Sequence, residues 1–137
     1  MAIKVGISGF GRIGRLVFRA MENDPDFEIV AINGTRDLAT AAHLLKYDSV
    51  HRRVYESVVP GDGGIIVDGH FVPVYNERES IAAIPWDDHD VDIVIESSGK
   101  NNDGLKAKDH LSDKVKKVIL TAAGKNVDAT IVMGVNE

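Results

Sequence analysis

A short β-branched run opens this chain and passes directly into a glycine turn: Ile3-Lys4-Val5-Gly6-Ile7-Ser8, then Gly9-Phe10-Gly11-Arg12-Ile13-Gly14. An amphipathic segment, Leu16 to Met21, follows at once. Gly-x-Gly-x-x-Gly between a strand and a helix has a specific physical use. Gly9 allows the tight turn, Gly11 leaves room for a diphosphate against the backbone, and Gly14 lets the helix lie close to the strand. The first turn of the helix then offers amide donors and the positive end of its dipole. The three glycines alone would be weak evidence, and their position between strand and helix supplies the weight.

Strand and helix signals alternate along the rest of the chain. Ile3 to Ser8 reads as a strand buried on both faces. Gly11 to Asn23 reads as a helix with Ile13, Leu16, Val17 and Ala20 at core spacing, stopped by Asn23-Asp24-Pro25. Phe27 to Ile32 is a second strand, and Thr40 to Tyr47 a helix with Ala41, Leu44 and Leu45 inward. The middle changes character. Val54 to Val59, Ile65 to Val67 and Phe71 to Tyr75 are short strands between glycine-rich turns, and Asp68-Gly69 marks a hairpin. Parallel character returns with strands at Val91 to Ile95, Lys117 to Leu120 and Thr130 to Met133, and a helix over Asp103 to Leu111. The pattern predicts an α/β, Rossmann-type doubly wound, mainly parallel sheet with a small antiparallel insertion. Residues 1–137 read as one nucleotide-binding domain.

Ligands of such sheets lie outside the carboxyl ends of the strands. Here those ends carry small or hydroxyl residues: Ser8-Gly9, Asn33-Gly34, Ser97-Ser98-Gly99 and Thr121-Ala122. Each alone is an ordinary turn; their recurrence at successive strand ends favours a binding edge.

Composition sets outer limits. The chain has 137 residues, 44% hydrophobic and 27% charged, with a formal net charge of −5. That balance opposes bulk attraction to nucleic acid or an anionic membrane. With no cysteine, the chain carries no disulfide, thiolate metal site or cysteine nucleophile. No apolar run is long enough to span a bilayer and no signal peptide is evident, so the expected setting is cytoplasmic. Asp87-Asp88-His89-Asp90 is read as a solvated loop, with no metal expected. Arg52, Arg53, Lys114, Lys116 and Lys117 are read as solvated surface, making nucleic acid an unfavoured partner.

Taken together, KVGISGFGRIGRLVFRA, VAING, AHLLKYDSVH, ERES, PW, IESSGK, HL, KKVILTAAGK and IVMGVNE resemble the N-terminal nucleotide-binding domain of the phosphorylating glyceraldehyde-3-phosphate dehydrogenase family. The blocks occur in the family's order over nearly the whole chain. The resemblance implies that Phe10, Gly11, Arg12 and Ile13 line the pyrophosphate turn. Arg78 would lie along the adenine through its backbone, Ser98 and Gly99 beside the cofactor, and Thr121 near the nicotinamide ribose. Arg12 can equally be an exposed first-turn charge. A cation is disfavoured at a helix N-terminus unless an anion is near, however, and this supports phosphate binding.

The sequence departs from the family most informatively after the second strand. There an acid usually follows Asn and holds the adenosine ribose hydroxyls; here the residues are Asn33-Gly34-Thr35-Arg36. Loss of the carboxylate removes repulsion against a 2′-phosphate, and Thr35 and Arg36 can bond it. The cofactor is thus NAD or NADP, with the reading leaning to NADP. In the alternative, Asp37 caps the next helix and Arg36 faces water. Smaller departures are Ser8 for a usual Asn, Ala123 for a common Pro, Arg52-Arg53 after His51, and no aromatic within Lys100-Asn101-Asn102.

In the family the catalytic cysteine and a separate catalytic domain lie beyond the point matching Glu137. The expectation is therefore the cofactor-binding half of such an enzyme, without catalytic residues of its own and inactive alone. Its partners would be a nicotinamide dinucleotide, the missing C-terminal domain and further copies of itself, the family being tetrameric. His43, His51, His70, His89 and His110 are given structural roles, with His51 near a family subunit contact. The alternatives are a standalone nucleotide- or protein-binding module, or the same domain of erythrose-4-phosphate dehydrogenase.

Overall fold

The computed structural model describes residues 2–22, 24–34, 37–47, 55–100 and 102–131. Their strands form a seven-stranded sheet with order β3-β4-β5-β2-β1-β6-β7. The strands are β1 (Ile3–Ser8), β2 (Phe27–Asn33), β3 (Val58–Gly61), β4 (Gly64–Val67), β5 (His70–Tyr75), β6 (Ile93–Glu96) and β7 (Lys117–Leu120). The helices are α1 (Arg12–Glu22), α2 (Leu38–Lys46) and the single turn α3 (Gly104–Ala107). β1 lies between β2 and β6, parallel to both, and β7 runs parallel to β6. The chain moves outward from β1 through β2, then crosses to β6 on β1's other side. That reversal is the point where doubly wound sheets open a crevice.

The antiparallel segment is an extension of the sheet rather than a decoration on it. β3, β4 and β5 form antiparallel pairs, and β5 then joins β2 in parallel. Asp68 (φ 46°) and Gly69 (φ 85°) supply the left-handed turn between β4 and β5, as Asp-Gly predicts. Pro60 falls on edge strand β3, where a missing ladder donor costs least. Of the expected Val54–Val59 strand, Val58 and Val59 are in β3 and residues 55–57 are in no strand, while Val54 lies outside the described residues.

Each face of the sheet carries its own core. Val5, Ile7, Ile29, Ile32, Phe18, Leu45, Val58, Ile65 and Val72 belong to the cluster under α1 and α2. Ala31, Ile84, Trp86, Val91, Val94 and Val115 fill the other face. A bulge reconciles the spacing: the β1–β2 register steps from Val5–Ile29 to Gly6–Ala31, skipping Val30. Ile29 and Ile32 therefore share a face although they are three apart. Gly6 is small because the Trp86 ring lies against it; an added Cβ would sit 2.7 Å from the indole.

Two helix faces differ from the sequence expectation. On α1 the buried residues are Gly14, Phe18 and Arg19; of the expected stripe Val17 is partly buried against the core, whereas Ile13 is 48% exposed and Ala20 is exposed. Gly14 must touch β1's end, and this rotates the helix so that the i, i+4 partner Phe18 enters the core. On α2, Ala41, Ala42 and Leu45 are buried and Leu44 is exposed. Asp37 caps α2, its carboxylate accepting from the Thr40 amide at 3.0 Å. The expected helix over 103–111 is a single α turn that tightens into a 3-10 turn at Lys108–His110. Thr130 and Ile131 are not in a strand, and the rest of that expected strand lies outside the described residues. No helix among the described residues is long and apolar enough to cross a membrane.

Candidate dinucleotide site

Hydrogen bonds draw the carboxyl ends of four neighbouring strands to one level. Ser8 is in register with Asn33 of β2 and Glu96 of β6, and Glu96 with Leu120 of β7. Beyond the strands the stitching continues. The Gly9 amide donates to the Asn33 carbonyl at 2.7 Å, the Ser97 amide to the Ser8 carbonyl at 2.7 Å, and the Thr121 amide to the Glu96 carbonyl at 3.2 Å. Asn33-Gly34, Ser8-Gly9, Ser97-Ser98 and Thr121 thus form one continuous edge.

The glycine turn sits over its centre. Gly9 has φ +96°, and an added Cβ would strike the Ser98 backbone at 2.4 Å. Gly14 closes the other side, since a Cβ there would lie 2.1 Å from the Gly9 carbonyl oxygen. Gly11, in contrast, has nothing within 4 Å of where its Cβ would stand. Arg12 and Ile13 are exposed at the start of α1. The first intrahelical bond here runs from the Arg15 amide to the Gly11 carbonyl at 3.0 Å. The Arg12, Ile13 and Gly14 amides therefore have no carbonyl one turn back within the helix. The open cradle above Gly11, the amide-rich first turn and the adjacent Arg12 fit a diphosphate.

Phe10 contributes through its backbone. Its ring is buried, packed edge-on against Phe18 with centroids 5.9 Å apart, and its carbonyl accepts from Arg15 Nη1 at 3.2 Å. At the β2 end, the Asn33 side chain is used twice by one peptide neighbour. Its Oδ1 accepts from the Glu77 amide at 2.8 Å, and its Nδ2 donates to the Glu77 carbonyl at 3.1 Å. The Gly34 amide donates to the Tyr75 carbonyl at 2.7 Å, and Asn76 Nδ2 donates to the Gly34 carbonyl. These bonds hold residues 75–77 against the end of β2 and bring Arg78, which is exposed, to that edge. Gly99 (φ 77°) is exposed beside β6 and Thr121 beside β7, with the Thr121 hydroxyl 3.4 Å from the Glu96 carbonyl. Thr35 and Arg36, on which the NADP reading leans, lie outside the described residues, as do His51, Arg52 and Arg53.

Sequence reasoning missed the acid beneath this edge. Glu96, 1% exposed, is the last residue of β6 and shares the Val94 face. Its Oε1 accepts from the Ser98 amide at 3.0 Å and from the Ser98 hydroxyl. Its Oε2 lies 2.6 Å from His110 Nε2. His110, also 1% exposed, receives the Trp86 indole N–H at Nδ1, 3.1 Å away. Local alternation gave no clear signal: in Val91-Asp92-Ile93-Val94-Ile95-Glu96 the acid shares its face with exposed Asp92 as well as buried Val94, and only the partners Ser98 and His110 make its burial possible. Burial pushes the Glu96 carboxyl up, but hydrogen bonds from His110 and Ser98 outweigh it and hold the group below its ordinary 4.5. A depressed folded value stabilises the fold above about pH 4.5, and that stability is lost as pH falls through the lower value. The urea midpoint should therefore fall as pH drops below 4.5, and Glu96→Gln should lack that component. Parallel wild-type and variant profiles would refute this.

The acidic stretch expected as a solvated loop is a 3-10 turn, Trp86–His89, tied by exposed polar contacts to the 112–114 segment. Asp87 accepts from the Ser112 hydroxyl, and Asp90 from Lys114 Nζ. Among the described residues no group of three or more His, Asp or Glu is placed to hold a metal ion.

A parallel sheet with a switch point, a close-packed Gly9–Gly14 turn and an open Gly11 define a Rossmann-type dinucleotide-binding domain. Comparison with known proteins agrees in detail. The family model described as "Glyceraldehyde 3-phosphate dehydrogenase, NAD binding domain" matches residues 3–104, and the chain belongs to that family. It is 50% identical to glyceraldehyde-3-phosphate dehydrogenase 2 of Bacillus subtilis (strain 168), over all of this chain and 40% of that protein. It is 50% identical to glyceraldehyde-3-phosphate dehydrogenase of Geobacillus stearothermophilus, over all of this chain and 41% of that protein. The Thermotoga maritima enzyme is 48% identical over 98% of this chain and 40% of its own length. The chain thus spans about 40% of the length of these relatives.

Proposed function

We propose that this chain binds NAD or NADP along the Asn33–Gly9–Ser98–Thr121 edge, as the cofactor-binding part of a phosphorylating glyceraldehyde-3-phosphate dehydrogenase. The observation that carries the reading is the open space over Gly11, the one glycine of the Gly9–Gly14 motif whose Cβ position is open while Gly9 and Gly14 are hemmed in by backbone. In this reading the Arg12 to Gly14 amides hold the diphosphate and Arg12 balances its charge. Asn33, Gly34 and the Arg78 backbone take the adenosine side. Ser98, Gly99 and Thr121 flank the nicotinamide side. When bound, the nicotinamide accepts a hydride as glyceraldehyde 3-phosphate is oxidised and phosphorylated to 1,3-bisphosphoglycerate. This chain's share is to bind and orient. The catalytic cysteine and the catalytic domain belong to the portion of the relatives that it does not span. The same reading includes self-association and a cytoplasmic setting, in keeping with the family's tetramers and glycolytic role.

The cofactor choice follows from Gly34. Without a carboxylate there, a 2′-phosphate meets no like charge, and Thr35 and Arg36 supply a donor and a cation. Calorimetric titration should show NADP bound at least as tightly as NAD. In Gly34→Asp, NADP affinity should fall about tenfold relative to NAD, from one added like charge. The new Cβ would lie 3.0 Å from that of Phe10, a contact relieved by a small shift. A clear NAD preference in the wild type would overturn the cofactor choice, and failure to bind either would overturn the function.

A further inference from the structure

We propose that Trp86 and His110 are positioning residues for the dinucleotide site, acting through Glu96 to set the Ser98 turn against Gly9. The proposal rests on the dinucleotide reading above. The relay runs from the core on the sheet face opposite α1 and α2 to the binding edge. It is directional, because each link has one permitted donor. The indole N–H can only donate, so His110 Nδ1 must accept. His110 Nε2 therefore carries the proton and donates to Glu96 Oε2 at 2.6 Å. The remaining oxygen, Oε1, is left to accept from the Ser98 amide and hydroxyl.

Ser98 is where this order matters. The Ser98 backbone is the surface that would meet a Cβ on Gly9 at 2.4 Å, and Ser97 Oγ donates to the Gly9 carbonyl at 2.7 Å. A shift of the Ser97-Ser98 turn moves the wall of the glycine cradle. None of the three relay side chains is surface-accessible, since Trp86, Glu96 and His110 are 2%, 1% and 1% exposed. They therefore act by holding Ser98 in place and not by touching the ligand.

Glutamine at 110 offers an acceptor and a donor in the same order, whereas phenylalanine offers neither. The experiment combines nitrogen NMR of the His110 ring at neutral pH with calorimetry on wild type, His110→Gln, His110→Phe and Trp86→Phe. The two ligands are the wild type's preferred dinucleotide and adenosine, which carries no phosphate and needs only the Asn33 end of the edge. The ring should show a protonated Nε2 and a bare Nδ1. Dinucleotide affinity should fall about tenfold in His110→Phe, which removes the charge-assisted bond to Glu96, fall by a smaller factor of about threefold to tenfold in Trp86→Phe, which removes a neutral bond, and stay within about threefold in His110→Gln. Adenosine affinity should be unchanged throughout. A protonated Nδ1, unchanged dinucleotide affinity in the folded variants, or equal losses for adenosine would each overturn the proposal. Wild-type chain that binds neither NAD nor NADP would instead remove the dinucleotide reading, while the ring resonances would still report the tautomer. Trp86→Phe keeps the test available if His110→Phe does not fold.

Discussion

Alanine at Gly14 is expected to abolish measurable dinucleotide binding and to destabilise the chain. The added methyl would sit 2.1 Å from the Gly9 carbonyl oxygen, 3.0 Å from Ser97 Oγ and 3.1 Å from the Gly9 carbonyl carbon. The closest obstacle is backbone, and it is tied on both sides. The Gly9 amide is bonded to Asn33 and its carbonyl to Ser97. Relief therefore requires α1 to lift from β1 or the glycine turn to open, and either movement displaces the amides that the proposed binding mode assigns to the diphosphate. Overpacking of this kind costs about 1–3 kcal/mol, and more where backbone must move. Gly11→Ala makes the internal control. Its methyl would meet nothing within 4 Å, so the urea midpoint should stay near that of the wild type. Its affinity should still fall, because in the proposed binding mode the methyl takes up space that the diphosphate needs. Calorimetry and urea melts on the two variants separate the roles; tight binding by Gly14→Ala would show that the turn is not the diphosphate seat.

The second large effect is on stability. Phe18→Ala should cost about 3–5 kcal/mol, the usual range for removing a buried aromatic ring. Phe18 is fully buried between α1 and the sheet, edge-on to Phe10 at 5.9 Å and to Tyr55 at 6.1 Å. Among the described residues no other aromatic ring contacts both, so the cavity would open at the junction of the glycine turn, α1 and the segment leading to β3. Since domains of this kind are stable by about 5–15 kcal/mol, the loss would be a large fraction of the total. A change under about 1 kcal/mol in the urea-derived stability would mean that the core collapses around the gap. Dinucleotide affinity of the folded fraction should also fall, because Phe10 loses the ring that anchors its backbone.

Much of the geometry around the candidate site was legible because it is set locally. The Gly9–Gly14 turn is a strand-to-helix signal written in consecutive residues, and the Asp68-Gly69 hairpin follows from two residues that tolerate positive φ. Small residues at the ends of β1, β2, β6 and β7 marked the edge before the sheet order was known. The orientation of α1 was not legible. Ile13, Leu16, Val17 and Ala20 make as regular an apolar stripe as Gly14 and Phe18 do, and periodicity cannot choose between them. Close approach at Gly14 chooses. The Asn33–Glu77 pairing was equally hidden, since it links residues that meet only when β5 lies down beside β2.

Adjacent residues thus commit this chain to a strand, a glycine bend and a helix that presents its amides, because turn geometry and side-chain period act over a few positions. Which face of that helix is buried, and how a carboxylate survives without water at the end of β6, depend on groups far apart along the chain. Trp86, Glu96 and His110 lie in three separate segments, and their donors and acceptors align only after the second core has assembled around them. Burial makes that alignment obligatory, since an unmatched charge or N–H there has no solvent to turn to.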